Sequence, residues 1–165
     1  MARPRRIPVL LPLDRRVTWF LTFCVRPRRP VLACAEVWAA WCGAVERLSE
    51  WQVAAAVVMP DHVHLLARPL CERDQPVGNL VGALKRWTRA PFGDRWQWQV
   101  GSFDRLLRSD ESAQQKWLYI WQNPVSAGLV AEAEDWPYWF AEADIALEKF
   151  RALPLLGGRS DLLNL

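Results

Sequence analysis

The chain holds two histidines, His62 and His64, and two tyrosines, Tyr119 and Tyr138. His62 and His64 stand one residue apart in an apolar run. In a strand, side chains two positions apart leave the same face, so the two imidazoles converge. Imidazole is the commonest metal ligand, and a pair at this spacing lets a sheet offer two ligands to a divalent ion. The same spacing also suits two surface histidines on an edge strand. Tyr119 lies four residues before Asn123, the spacing that puts a phenol and an amide on one face of a helix. A phenol ionises near pH ~10 and is a weak nucleophile at neutral pH unless a cation or base stabilises its oxyanion. A cation held by His62 and His64 could also polarise a phosphate. Taken alone, Tyr119 reads better as a core aromatic with a tethered hydroxyl.

Positioning these groups falls to a small set of elements. Residues 17–25 are β-branched and aromatic and end at a Pro-containing turn over 26–30, which predicts a buried strand. Over 36–51, Val37, Trp41, Val45 and Leu48 recur at helical steps, with Glu46, Arg47 and Glu50 on the other side. Residues 52–59 and 62–69 are strand-like runs joined by Pro60-Asp61, which together predict a β-hairpin. Asp74 is placed to cap a helix that starts near Pro76 or Val77 and runs through Leu80, Val81, Leu84 and Trp87. Residues 96–100 alternate large apolar and polar side chains and predict a fourth strand closed by Gly101. Ser109 suits the N-cap of a further helix that stops near Asn123, ahead of Pro124. The order βαββαβ plus a helix predicts an α+β fold of ferredoxin-like type, one antiparallel sheet with helices packed on a face. The acidic stretch over 131–148 predicts a packed turn and a last helical extension. We divide the chain into a basic segment over 1–16, a main domain over 17–150 and a tail over 151–165 without a clear pattern.

Composition narrows the class. The chain has 165 residues, 52% hydrophobic, with 11 Trp, which suits one domain with a filled core and argues against a disordered chain. No uncharged apolar stretch approaches the ~20 residues of a spanning helix, so no membrane role is expected. Pro8 and Pro12 interrupt the apolar run near the start, unlike a signal peptide, and a cytoplasmic protein is expected. Cys24, Cys34, Cys42 and Cys71 form no CxxC pair and read as reduced thiols. Charge is segregated: residues 1–109 hold 17 basic and 9 acidic groups, and 110–165 hold 4 and 9. Most of the cations are Arg, whose planar fork suits phosphate and a nucleic-acid partner, although charge alone weighs a solvated basic face equally.

Two segments carry a family resemblance. Val57-Val58-Met59-Pro60-Asp61-His62-Val63-His64-Leu65-Leu66 resembles the HUH (His, hydrophobic, His) motif of single-tyrosine transposases. The run from Tyr119-Ile120-Trp121-Gln122-Asn123-Pro124 to Val130 resembles their tyrosine motif. With Phe103-Asp104-Arg105-Leu106-Leu107 between them and Glu134-Asp135-Trp136-Pro137-Tyr138 beyond, the likeness is closest to REP-associated tyrosine transposases and spans about 17–138.

That resemblance implies a ferredoxin-like nuclease that nicks and rejoins single-stranded DNA beside a hairpin formed by a palindromic repeat, as a monomer or homodimer. It implies that His62, His64 and Asn123 hold Mg²⁺ or Mn²⁺ and that Tyr119 attacks the phosphodiester to form a 5′-phosphotyrosine link. Arg26, Arg28 and Arg29 in a turn, and Lys85, Arg86 and Arg89 on the second helix, are the expected DNA contacts. In the family Asp61 is often Asn and Ser126 often basic; the first should be tolerated, the second removes a DNA contact. Arg105 stands where some relatives have His and is not counted as a ligand. An alternative is a non-catalytic binder of palindromic DNA or structured RNA that keeps the fold. A metal hydrolase built on the HxH pair is disfavoured, because no additional His and no carboxylate at a telling spacing complete it.

Overall fold

A computed structural model describes residues 17–71, 75–107 and 110–142, and of Asp110, Glu111 and Ser112 only the backbone. The basic segment over 1–16, the Asp74 and Ser109 caps, the last acidic helix and the tail over 151–165 lie outside the described residues.

Strand β1 (Thr18–Arg26) leads to helix α1 (Ala35–Glu46), then to the hairpin of β2 (Trp51–Val58) and β3 (His62–Pro69), then to helix α2 (Val77–Arg89). Two short strands follow, β4 (Gln97–Trp98) and β5 (Phe103–Leu107), then helix α3 (Asp110–Trp121), the single turn α4 (Asn123–Ser126) and strand β6 (Trp139–Ala141). The sheet has six strands in the order β4-β1-β3-β2-β6, with β5 also on β1, and every pairing is antiparallel.

The core is divided by the sheet. On one face Leu21, Phe23, Val25, Val63 and Leu65 meet Val37 and Trp41 of α1 and Leu80 and Leu84 of α2. On the other face Phe20, Val57 and Leu66 meet Trp117, Ile120 and Trp121 of α3, closed by Trp136. Helices therefore cover both faces, where the sequence suggested one. None of the eleven Trp is exposed, as expected for a core built on large aromatics.

The fourth-strand expectation is corrected. Of residues 96–100 only Gln97–Trp98 pair with β1, opposite Val25 and Arg26. Val100 is exposed, and Gly101 turns the chain at φ 78°. That conformation costs glycine little because it carries no Cβ. The rest of the β1 edge, Thr18 to Thr22, is taken by β5, which the sequence analysis left as connecting chain. The helix expected over 36–51 ends at Glu46, and Trp51 opens β2 with its indole buried. The turn expected near 136–140 includes β6, which pairs with β2 through Trp139, Phe140 and Ala141. Pro124 does end α3 as expected, but it also sits in the first turn of α4, where a missing N–H costs nothing. Cys24, Cys34 and Cys42 are half-buried and Cys71 is exposed, all as free thiols. Among the described residues no helix is long and apolar enough to cross a membrane.

Candidate active site

The hairpin turn places the histidines. Met59 N–H donates to His62 O at 2.8 Å, closing Pro60-Asp61 into a tight turn. The turn is pinned from outside, since Val25 N–H donates to Asp61 O and Leu32 N–H to Pro60 O. Along β3, Val63 and Leu65 enter the core under α1 and α2, so His62, His64 and Leu66 must leave the α3 face. Register against β1 puts Cys24 beside His62 and Thr22 beside His64.

The two imidazoles meet edge to face, with His62 Nε2 at 3.0 Å from His64 Nε2. Asp61 Oδ1 lies 2.6 Å from His62 Nδ1. A carboxylate only accepts, so the proton of His62 sits on Nδ1 and its Nε2 keeps a lone pair. Thr22 Oγ1 lies 2.7 Å from His64 Nδ1, and a hydroxyl can serve either tautomer of that ring. With Nδ1–H donating to Thr22, both Nε2 lone pairs address one point. Two adjacent ligands of an octahedral ion, each roughly 2.1 Å from it, stand about 3 Å apart, which is the separation these nitrogens have. Asp61 and Thr22 stand where outer partners would orient histidine ligands. The donor set fits a divalent cation. Among the described residues no group of three His, Cys, Asp or Glu gathers, so further donors would be oxygens of another kind.

Burial keeps both rings neutral. Loss of hydration, then the charges of His62, Lys116 and Arg28, push His64 down to about 3. Burial also lowers His62, against the opposing pull of Asp61. Burial would raise the Asp61 carboxyl, but hydrogen bonds from Arg28 and His62 outweigh it and hold the group below its ordinary value. In the metal-free protein the unfolded chain therefore binds the His64 proton more readily than the folded one between pH 6.5 and about 3. Stability is lost as pH falls through that window, at roughly 1.4 kcal/mol per unit for one such group. Urea unfolding in chelator should show a flatter acid limb for His64→Gln than for the native chain. Equal slopes would exclude His64 as the group responsible.

Tyr119 and Asn123 arrive from the other side, on the end of α3. The amphipathic logic of α3 buries Trp117, Ile120 and Trp121 and leaves Tyr119 57% exposed. The core-aromatic alternative for Tyr119 is therefore excluded. Asn123 Nδ2 donates to Tyr119 O at 2.9 Å and to Ile120 O at 3.2 Å, satisfying carbonyls at the helix end. Carbonyls only accept, so this contact fixes the amide with its nitrogen on the helix and leaves the Oδ1 lone pairs unused by it.

Lys116, a residue the sequence reading passed over, links the two halves. Its Nζ lies 4.6 Å from the Tyr119 ring centroid and 4.8 Å from that of Phe20. Phe20 in turn stacks on His64, with centroids 5.7 Å apart and planes 24° from parallel. His64, Phe20, Lys116 and Tyr119 form one continuous patch. The signal was present, since Lys116 stands three residues before Tyr119 on the same helical face.

The chain matches no protein-family profile. It is 28% identical over 131 residues to the REP-associated tyrosine transposase of Escherichia coli K12, covering 78% of this chain and 79% of that one. A Haemophilus influenzae relative with the same family designation is 28% identical over 112 residues, which is 59% of this chain and 63% of the relative, under two thirds of its length. A solved REP-associated tyrosine transposase bound to a REP hairpin superposes with a TM-score of 0.68 at 25% identity, covering 84% of this chain and 82% of that one. In sequence and in fold this chain is similar to REP-associated tyrosine transposases.

The six cations that the sequence offered as DNA contacts have unequal positions in this fold. Arg26 and Arg29 are exposed. Arg28 is drawn into the site: its Nε pairs with Asp61 Oδ2 at 2.5 Å, its Nη1 donates to Cys24 Sγ at 3.0 Å, and its Nη2 lies 3.2 Å from His62 Nδ1. Lys85, Arg86 and Arg89 ride on α2, across the sheet from the histidines. Lys85 Nζ donates to Gln99 O and Gly101 O, tying down the turn between β4 and β5. Arg89 Nη1 donates to Trp96 O, while Arg86 is exposed and lies over the Trp87 ring. Arg105, set aside as a ligand, lies on the α3 face opposite Phe20 and is exposed.

Proposed function

We propose that this chain is a metal-dependent single-strand DNA endonuclease and strand transferase that acts beside a palindromic hairpin. The reading takes the fold as ferredoxin-like and carries over the hairpin ligand of the solved relative. One observation supports it above the others: two imidazoles bring their Nε2 atoms together on the face of the sheet where an exposed tyrosine ring is linked to them through Lys116 and Phe20.

In this reading His62 and His64 hold Mg²⁺ or Mn²⁺, and Asn123 Oδ1 supplies a further oxygen. The ion, when bound, withdraws charge from a non-bridging phosphate oxygen. Tyr119 does the covalent work. Its hydroxyl oxygen bonds to phosphorus, the bond from phosphorus to the 3′ oxygen breaks, and the departing strand leaves as a 3′-hydroxyl, taking up a proton as the phenol gives one up. The 5′-phosphotyrosine link keeps the phosphodiester's energy, and attack by a 3′-hydroxyl reverses the step without a nucleotide cofactor. Arg26, Arg29 and Arg86, being exposed, are the cations left to meet backbone phosphates.

Asp61 fixes the tautomer of His62. Asp61→Ala should weaken Mn²⁺ binding about 10- to 100-fold, the usual cost of removing an outer partner of a histidine ligand, as read by titration calorimetry. Undiminished affinity would remove Asp61 from the metal site.

The deciding experiment incubates the full chain and Mn²⁺ with labelled single-stranded oligonucleotides that carry a hairpin and an unpaired flank, and looks for a protein–DNA adduct that survives denaturation. Tight hairpin binding without an adduct on any such substrate would favour the non-catalytic binder.

A further inference from the structure

We propose that Lys116 binds the phosphate under attack, an assignment that rests on the nuclease reading above. It is the sole cation in α3, and its side chain is held against the rings of Phe20 and Tyr119, at 4.8 and 4.6 Å to their centroids. Phe20 carries that contact onward to His64 through ring stacking.

Cation–ring contacts restrain an ammonium without consuming its N–H donors, because the ring face offers charge and no lone pair. Lys116 is thus pre-positioned while its donors stay available to an anion. A phosphodiester that reaches both the Tyr119 hydroxyl and the His62–His64 pair must lie over the patch those residues enclose. Arg28 on that face is paired with Asp61, and Lys116 is the cation held against both Phe20 and Tyr119. As Tyr119 bonds to phosphorus, charge builds on the non-bridging oxygens, and an ammonium already in place stabilises it without reorganising. Lys116 acts only as a hydrogen-bond donor and transfers no proton, so the step's proton balance is unchanged. The structural alternative, a lysine that only steadies the helix end, predicts no dependence on phosphate charge.

The test measures single-turnover adduct formation by the full chain with Mn²⁺ at saturating hairpin oligonucleotide, so that weaker binding does not enter. Lys116→Met should slow the adduct about 100-fold, the effect of losing one pre-positioned donor. Lys116→Arg should recover most of the rate, and Lys116→Gln serves if Met perturbs folding. At the cleavage position mapped with the native chain, a methylphosphonate removes one anionic oxygen, and the difference between native and Lys116→Met should then largely vanish. Equal rates on the ordinary phosphate would overturn the Lys116 assignment alone, as would an undiminished difference on the methylphosphonate. No adduct with the native chain would overturn the nuclease reading and take this assignment with it.

Discussion

Tyr119→Phe should bind a labelled hairpin oligonucleotide as the native chain does and form no denaturation-resistant adduct with it. The substitution removes one oxygen and keeps the ring, so the Lys116 ammonium retains its aromatic partner. Little stability is at stake, since the side chain is 57% exposed and no core packing depends on the hydroxyl. Loss of an enzyme's nucleophile lowers the rate by roughly 10⁴- to 10⁶-fold, far beyond any change in binding. A gel under denaturing conditions reads the outcome directly. If the adduct persisted in the Phe variant, the attacking group would lie elsewhere. The other tyrosine, Tyr138, is half-buried against Trp38 and Trp136, and a hydroxyl there is poorly placed to meet DNA.

The second large effect concerns the imidazole pair. His62→Ala and His64→Ala should each abolish measurable Mn²⁺ binding and slow adduct formation by at least about 10³-fold, the several kcal/mol that metal polarisation of a phosphoryl oxygen supplies. Chelator should impose the same loss on the native chain, and added Mn²⁺ should restore it. His62 is the cleaner variant, because its side chain is 16% exposed at the turn, whereas His64 packs on Phe20 and its truncation also opens a gap. Mn²⁺ binding followed by electron paramagnetic resonance separates the two contributions. Scission that survives both chelator and the His62 variant would remove the metal from the reaction.

Much of this site was legible in the residues. The hairpin emerged where Pro60-Asp61 and the flanking apolar runs placed it, and β3 spans His62–Pro69 as expected. Strand periodicity alone put His62 and His64 on one face. Helical spacing alone put Tyr119 and Asn123 on another. Helix α2 begins at Val77 and buries Leu80, Val81 and Leu84, the residues its periodicity chose.

Other features depended on partners far away in sequence. Strands β4 and β6 are two and three residues long, too short for periodicity to declare them, and β5, at five residues, was not recognised as a strand. They exist because β1 and β2 leave open edges whose backbone groups need partners. Alternation along β2 misleads as well. Val53 pairs with Ala67 and Ala55 with Leu66, so Ala54 is an extra residue, and the set facing α1 and α2 passes from Val53 to Ala56 and Val58. The basic clusters were visible as charge, yet their use was not. Arg28 is spent on Asp61 beside His62, and Lys85 on backbone carbonyls of the loop after β4.

By itself the sequence determined which groups could do chemistry and which short-range geometry each would have, because strand and helix periods act over two to four residues. Only the tertiary structure decided that α3 lies across the sheet from α1 and α2, on the face where the histidines emerge. That choice follows from burial on both sides of the sheet at once, a condition no local window contains. It is what brings Lys116 between the imidazoles and the phenol, and what sets the α2 cations on the opposite face of the sheet.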